Sequence, residues 1–222
     1  MQEEFTLFDS SIGKKAVMAI TGLVLFGFVI GHMLGNLQVY MGPEQLNGYA
    51  EKLRDLGPLL WGVRLVIATC VVLHLTMVIA LYLRTWGARP VRYSVRHYTA
   101  TNYAATTMWL SGPLILAFLL FHLAQFTYPG VSMGDYPYNA QGDVFTNVVN
   151  GFSVPWVSAL YVAAQIMLGL HLYHGSWSLL QTLGWNHPTV NDKRRTAARI
   201  IAALVVGGNI SIPISVLAGY VN

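Results

Sequence analysis

The chain has 222 residues, of which 55% are hydrophobic and 10% charged, with a mean hydropathy of +0.50. Soluble domains carry about 25% charge, so the composition excludes an ordinary soluble domain and predicts an all-α integral membrane protein. The net charge of +4 does not argue for nucleic acid, because the basic residues fall in alternate connections between apolar runs and not on one face.

Five runs are long enough to cross a bilayer at about 20 residues per span: 16–39, 59–83, 104–126, 154–183 and 197–221. They predict a single transmembrane domain over 1–222. Residues 1–11 are acidic and polar, without the basic flank of a cleavable signal peptide. Lys14 and Lys15 precede the first run, Arg84, Arg89, Arg92 and Arg96 follow the second, and Lys193, Arg194, Arg195 and Arg199 precede the fifth. The other two connections hold Glu44, Glu51, Lys52, Arg54 and Asp55, then Asp135 and Asp143. The positive-inside rule therefore predicts a cytoplasmic N-terminus and an outside C-terminus, as for a multi-pass protein of the inner (cytoplasmic) membrane. Cys70 is the only cysteine. A disulfide, a cysteine-held iron–sulfur cluster and a C-x-x-C-H haem attachment are thus excluded within the chain.

In chain order, Ser10 or Ser11 can cap the first span, whose lysine pair marks the inner interface. His32 lies 17 residues beyond Lys15, about 26 Å along the helix and near the outer boundary. The connection GPEQLNGYAEKLRDLGP has helical spacing between two Gly-Pro breaks and predicts a short surface helix. Span two enters through Trp61 and Arg64, and His74 lies 10 residues before Arg84, about 15 Å from the inner boundary. His97, between Arg96 and Tyr98, reads as a surface residue of the inner loop. Span three is bent by Pro113 and places His122 near its outer end. The outer loop at 127–150, with Pro129, Pro137, Tyr128, Tyr136 and Tyr138, has a composition suited to interfacial packing and not to a catalytic domain. Span four carries His171 and His174, 13 and 10 residues before Gly184, about 20 and 15 Å from the inner boundary. Span five holds Asn209, Ser211 and Pro213, a polar packing patch without a metal ligand like histidine.

A histidine in lipid must find a partner or cost free energy. One on each of spans one to four, sorted into an outer layer (His32, His122) and an inner layer (His74 with His171 or His174), matches the need of two haems with bis-histidine ligation in a helix bundle. Gly27, Gly31, Gly35, Gly112, Gly169 and Gly175 either admit the flat macrocycle or pack helices closely. Zinc fits less well, since each layer offers two nitrogens where zinc takes three or four ligands. A proton-relay transporter lacks a mid-span Asp or Glu to pass protons.

The segments SIGKKAVMAITG and GHMLGNL in span one, YAEKLR in the outer connection, TMWLSGPLILAFLLFHLAQF in span three and HLYHGSWSLLQTLGWNHP at the end of span four resemble the cytochrome b membrane-anchor subunit of succinate dehydrogenase and fumarate reductase, in its single-chain, five-helix, dihaem form. The resemblance covers nearly the whole chain. It implies that His32 and His122 are axial ligands of the distal haem iron, and that His74 and His171 ligate the proximal one, with His174 as the alternate. His171 is favoured because the family's ligand stands four residues before a glycine and six before an aromatic, as His171 does before Gly175 and Trp177. The same resemblance implies two haem b groups and a quinone, usually menaquinone. It implies partner flavoprotein and iron–sulfur subunits at the cytoplasmic face, where His187 would face them. No catalytic residue for succinate is expected here, since the chain has neither a dinucleotide fingerprint nor cluster cysteines. Glu44, Glu51, Tyr40 and Gln38 are the polar groups near the outer end where quinone would take up protons. A hydrogenase or formate dehydrogenase cytochrome b is the redox alternative, and a haem-free transporter or assembly protein the other.

Overall fold

A computed structural model describes residues 9–88, 91, 95, 101–127, 132, 134, 138–139 and 142–222. Arg89, Arg92, Arg96, His97, Tyr98, Tyr128, Pro129, Asp135, Tyr136 and Pro137 lie outside the described residues. Among those described there are helices and no strand: α1 (Ser11–Asn36), a 3₁₀ turn (Leu37–Met41), α2 (Pro43–Asp55), α3 (Pro58–Gly87), α4 (Tyr103–Thr106), α5 (Met108–Phe126), α6 (Val144–Ser153), α7 (Pro155–Thr182) and α8 (Pro188–Leu217). Five of them, α1, α3, α5, α7 and α8, are long and apolar enough to cross a membrane. The shortest, α5, has 19 residues, or about 28 Å at 1.5 Å per residue, close to the thickness of a hydrocarbon core. The chain is a multi-pass membrane protein.

The helix starts follow local chemistry. Ser10 accepts the Gly13 N–H at 2.9 Å to cap α1. Prolines open α2, α3, α7 and α8, where a missing N–H costs nothing. Gly42 and Gly57 hold φ of 95° and 51° just before two of those prolines, a region open to glycine. The fifth span begins at Pro188 and not at 197, because His187 accepts the Thr189 N–H and caps the helix ahead of its charged first turns. The predicted surface helix is α2.

The helix α6 falls largely in the connection at 127–150, whose composition reads as interfacial and not as a catalytic domain. Valine, threonine and asparagine are mediocre helix formers, so VFTNVVNGFS reads as irregular. Tertiary packing decides otherwise: Phe145 and Phe152 are buried with Val39, Leu46, Val157, Tyr161, Ile212 and Val216. Asp143 caps α6 through the Thr146 N–H at 3.0 Å and the Thr146 hydroxyl at 2.6 Å. Asn47 of α2 donates to Asp143 Oδ1 at 2.9 Å and accepts the Phe145 N–H at 3.0 Å. The two short helices are thereby clasped together at one end of the bundle.

At the opposite, basic end, Lys14 and Arg84 both donate to the Asp9 carbonyl, joining the start of α1 to the end of α3. Asn102 and Arg199 meet at the Tyr173 hydroxyl, each at 3.4 Å, joining α4, α7 and α8. Arg195 lies over the Trp177 ring at 4.5 Å, a cation–π contact suited to an interface.

Within the bundle α7 packs on α8, α1 on both α3 and α7, and α5 on α7. Close approach at two of the predicted glycines serves this packing. A Cβ at Gly169 would stand 2.5 Å from Val206 Cγ2, and one at Gly35 would stand 2.7 Å from the Tyr49 hydroxyl. At Gly27, Gly31, Gly112 and Gly175 an added Cβ would have no neighbour within 4 Å.

Candidate functional site

The α1–α7 contact is flanked by α3, lying on α1, and α5, lying on α7. Neither the α1–α5 nor the α3–α7 pair makes extensive backbone contact among the described residues. Histidine rings reach across both of these separations. His32 of α1 and His122 of α5 have ring centroids 5.7 Å apart at an interplanar angle of 84°. His74 of α3 and His171 of α7 are 6.4 Å apart at 57°. Each pair thus joins one member of the central helix contact to the helix lying against the other.

The pairs are well separated along the helix axes. The His74 ring contacts Met18 and Thr21 of α1, and Thr21 is eleven residues from His32 on that helix, about 16 Å. His122 contacts Tyr161 of α7, which is ten residues from His171, about 15 Å. Two independent helices therefore give the same spacing between layers.

One nitrogen of a ring is engaged in each layer. His74 Nδ1 lies 3.1 Å from the Met18 carbonyl and 3.3 Å from the Thr21 hydroxyl. Gly22 makes this approach possible, since a Cβ there would stand 3.3 Å from His74 Cε1. His122 Nδ1 lies 3.1 Å from the Tyr161 hydroxyl, which donates to Gln125 Oε1 at 2.9 Å. Two buried nitrogens lack a hydrogen-bond partner among the described residues, Gln125 Nε2 and His171 Nδ1. Phe28 stacks on His32 at 5.4 Å, and Phe118 and Phe126 approach His122 at 5.9 and 5.7 Å.

Of the two span-four histidines, His171 is the ring brought against His74; no ring contact joins His174 to His74 among the described residues. His187 is exposed and bonds Thr189 at the start of α8. The four polar groups predicted near the far end are not gathered by hydrogen bonds. Gln38 accepts from Gln45 at 2.8 Å, Tyr40 bonds Ser215 at 2.9 Å, and Glu44 and Glu51 are exposed on α2. The sequence reading missed Tyr161, Gln125, Thr21 and Gly22. Polar groups within apolar spans are a signal that could have found the first three.

Asp143, at the cap of α6, is a titratable group outside the spans with several hydrogen-bond donors around it. Hydrogen bonds from the Thr146 hydroxyl and backbone N–H, then from Asn47, hold its carboxyl below the usual carboxylate range.

The donor set distinguishes between metal groups. No three His, Cys, Asp or Glu side chains converge among the described residues, as zinc would require. Two imidazoles per layer suit an iron with two axial ligands. Ring centroids 5.7 and 6.4 Å apart leave space for a metal ion that the two imidazoles of a pair would hold between them. A comparison with protein-family models, curated proteins and solved structures finds no match.

Proposed function

We propose that the chain is a dihaem cytochrome b membrane anchor of a succinate:quinone oxidoreductase. It carries electrons between an iron–sulfur partner subunit and a membrane quinone, menaquinone by the family resemblance. The observation that carries this reading is the assembly of four transmembrane histidines into two pairs, whose rings would hold two haems. When bound, haem supplies one-electron exchange at iron without atom transfer. His32 and His122 would hold the distal group, and His74 and His171 the proximal one.

The chain's own part is to hold these rings in place. The Met18 carbonyl and Thr21 fix the Nδ1 side of His74, which would leave its other ring nitrogen free to hold a metal. Packing of α1 on α7 fixes the distance between layers. The apolar lining of Phe28, Phe118 and Phe126 keeps water from the distal pair. By the positive-inside rule the basic end, with Lys14, Arg84 and Lys193–Arg199, faces the cytoplasm and receives the flavoprotein and iron–sulfur subunits. The proximal pair lies nearer that end, so electrons enter there and reach quinone at the other.

A reduced-minus-oxidised spectrum of the purified protein, with haem quantified per chain, tests the reading. Two b-type haems per chain are expected, and copurified subunits bearing flavin and iron–sulfur clusters. A protein without a b-type α-band refutes the haem assignment. Hydrogenase or formate dehydrogenase subunits in place of the flavoprotein refute the choice of complex.

A further inference from the structure

The two layers differ in what steadies the ring opposite the partner histidine. At the proximal pair it is the Met18 carbonyl together with the Thr21 hydroxyl, which itself bonds the backbone carbonyls of Val17 and Met18. At the distal pair it is a side-chain relay: His122 Nδ1 against the Tyr161 hydroxyl at 3.1 Å, and that hydroxyl donating to Gln125 Oε1 at 2.9 Å. Tyr161 and Gln125 are 6% and 3% exposed, so water does not substitute for either contact. Because the phenol proton is committed to Gln125, the phenol oxygen has only lone pairs to offer His122. With the Gln125 amide oxygen facing the phenol, His122 carries its proton on Nδ1, which leaves a lone pair on Nε2. The aromatic shell pins the phenol. Phe118 and Phe152 both meet the Tyr161 ring edge-to-face at 4.8 Å.

We infer that Tyr161, backed by Gln125, is a positioning residue that fixes the tautomer of His122 and sets the electron-donating strength of that ligand toward the distal iron. The inference rests on the dihaem reading. An acceptor at Nδ1 gives the imidazole partial anionic character and favours the oxidised metal, which lowers the potential. A hydroxyl whose own proton is donated is a stronger acceptor than a free one, so Gln125 strengthens the effect from one step away. The proximal ring meets the Met18 carbonyl and the Thr21 hydroxyl instead, so neither Tyr161 nor Gln125 bears on it.

Spectroelectrochemical titration of the full chain with its copurified partners tests this. The distal band is identified as the one removed in His122→Ala. Tyr161→Phe keeps the ring packing and is expected to retain two haems, raise the midpoint potential of the distal band and leave the proximal band unmoved. Gln125→Leu is expected to raise the distal potential by less. Unchanged potentials in Tyr161→Phe, a downward shift, or an equal shift of both bands would overturn the inference. If Tyr161→Phe binds fewer than two haems, Gln125→Leu decides: a distal-only rise supports the relay and no shift overturns it. An unaltered protein without haem refutes the proposed function, and this inference with it, whereas a haem-containing protein insensitive to both substitutions refutes only the inference.

Discussion

Replacing His171 or His174 by alanine separates two rings that lie on one helix within three residues. At 1.5 Å and 100° per residue, His174 is displaced from His171 by about 4.5 Å along α7 and about 60° around it. A metal–nitrogen bond of about 2 Å tolerates deviations of only a few tenths of an ångström, so no side-chain rotation brings His174 into the place of His171. The ring of His171 faces His74 at 6.4 Å. Under the dihaem reading, His171→Ala should therefore lower the haem content from two to one per chain, and His174→Ala should keep two. Protein stripped of haem provides an internal control. There His171→Ala removes a buried Nδ1 without a partner, relieving about 1–3 kcal/mol and offsetting a packing loss of similar size. Its Tm should move little without haem and fall clearly with it, because only the loaded state loses a ligand bond. Haem content by pyridine haemochrome and Tm in detergent give both readouts. One haem in His174→Ala together with two in His171→Ala would refute the assignment.

His122→Ala should remove the distal haem while the proximal band and the partner subunits remain; loss of the proximal band alone would show the layers to be inverted. Asn47→Ala removes two hydrogen bonds of the α2–α6 clasp, about 2 kcal/mol locally, and should speed hydrogen exchange at the Phe145 amide without changing haem content. Asp143 has a folded pKa below its unfolded one, so its contribution is present above the ordinary carboxylate range and is lost as pH falls through the depressed value. The α6 exchange rate should rise on acidification through that window, and Asp143→Asn should abolish the pH dependence. Gly169→Ala puts a methyl 2.5 Å from Val206 Cγ2, and a β-branched side chain in a helix has little freedom to turn away. A loss of about 1–3 kcal/mol, seen as a lower Tm, is expected.

The five spans were legible because uninterrupted apolar runs leave few alternatives to a helix in lipid. The grouping of His32 with His122, and of His74 with a histidine of α7, follows from counting residues from the basic anchors at 1.5 Å per step, and those rings lie side by side. Depth does not fix rotation. It slightly favoured His174 as the partner of His74, whereas the ring placed against His74 is His171, the one preferred on the motif that includes Gly175 and Trp177. The same gap hid the Tyr161–Gln125 relay, because two polar residues on different helices reveal their pairing only once both helix phases are set. The Met18 carbonyl left no trace at all, being backbone. In α6 the propensity of VFTNVVNGFS pointed away from a helix, and the burial of Phe145 and Phe152 outweighed it.

The pattern of helix contacts gives the histidine pairs a second consequence. The helix α3 has its main contact with α1, and α5 with α7 and the short α4, so these are the two spans with the least support from the rest of the bundle. Each carries one member of a histidine pair, His74 or His122, whose partner stands on α7 or α1. A ligand shared by the two rings of a pair therefore ties α3 to α7 and α5 to α1, supplying the two helix associations that backbone packing does not. Lipid offers no hydrophobic drive to bring those helices together. Under the dihaem reading, the ligands that set electron transfer are also the cross-ties of the fold, and the α7–α8 and α1–α7 packing is the frame they are tied to.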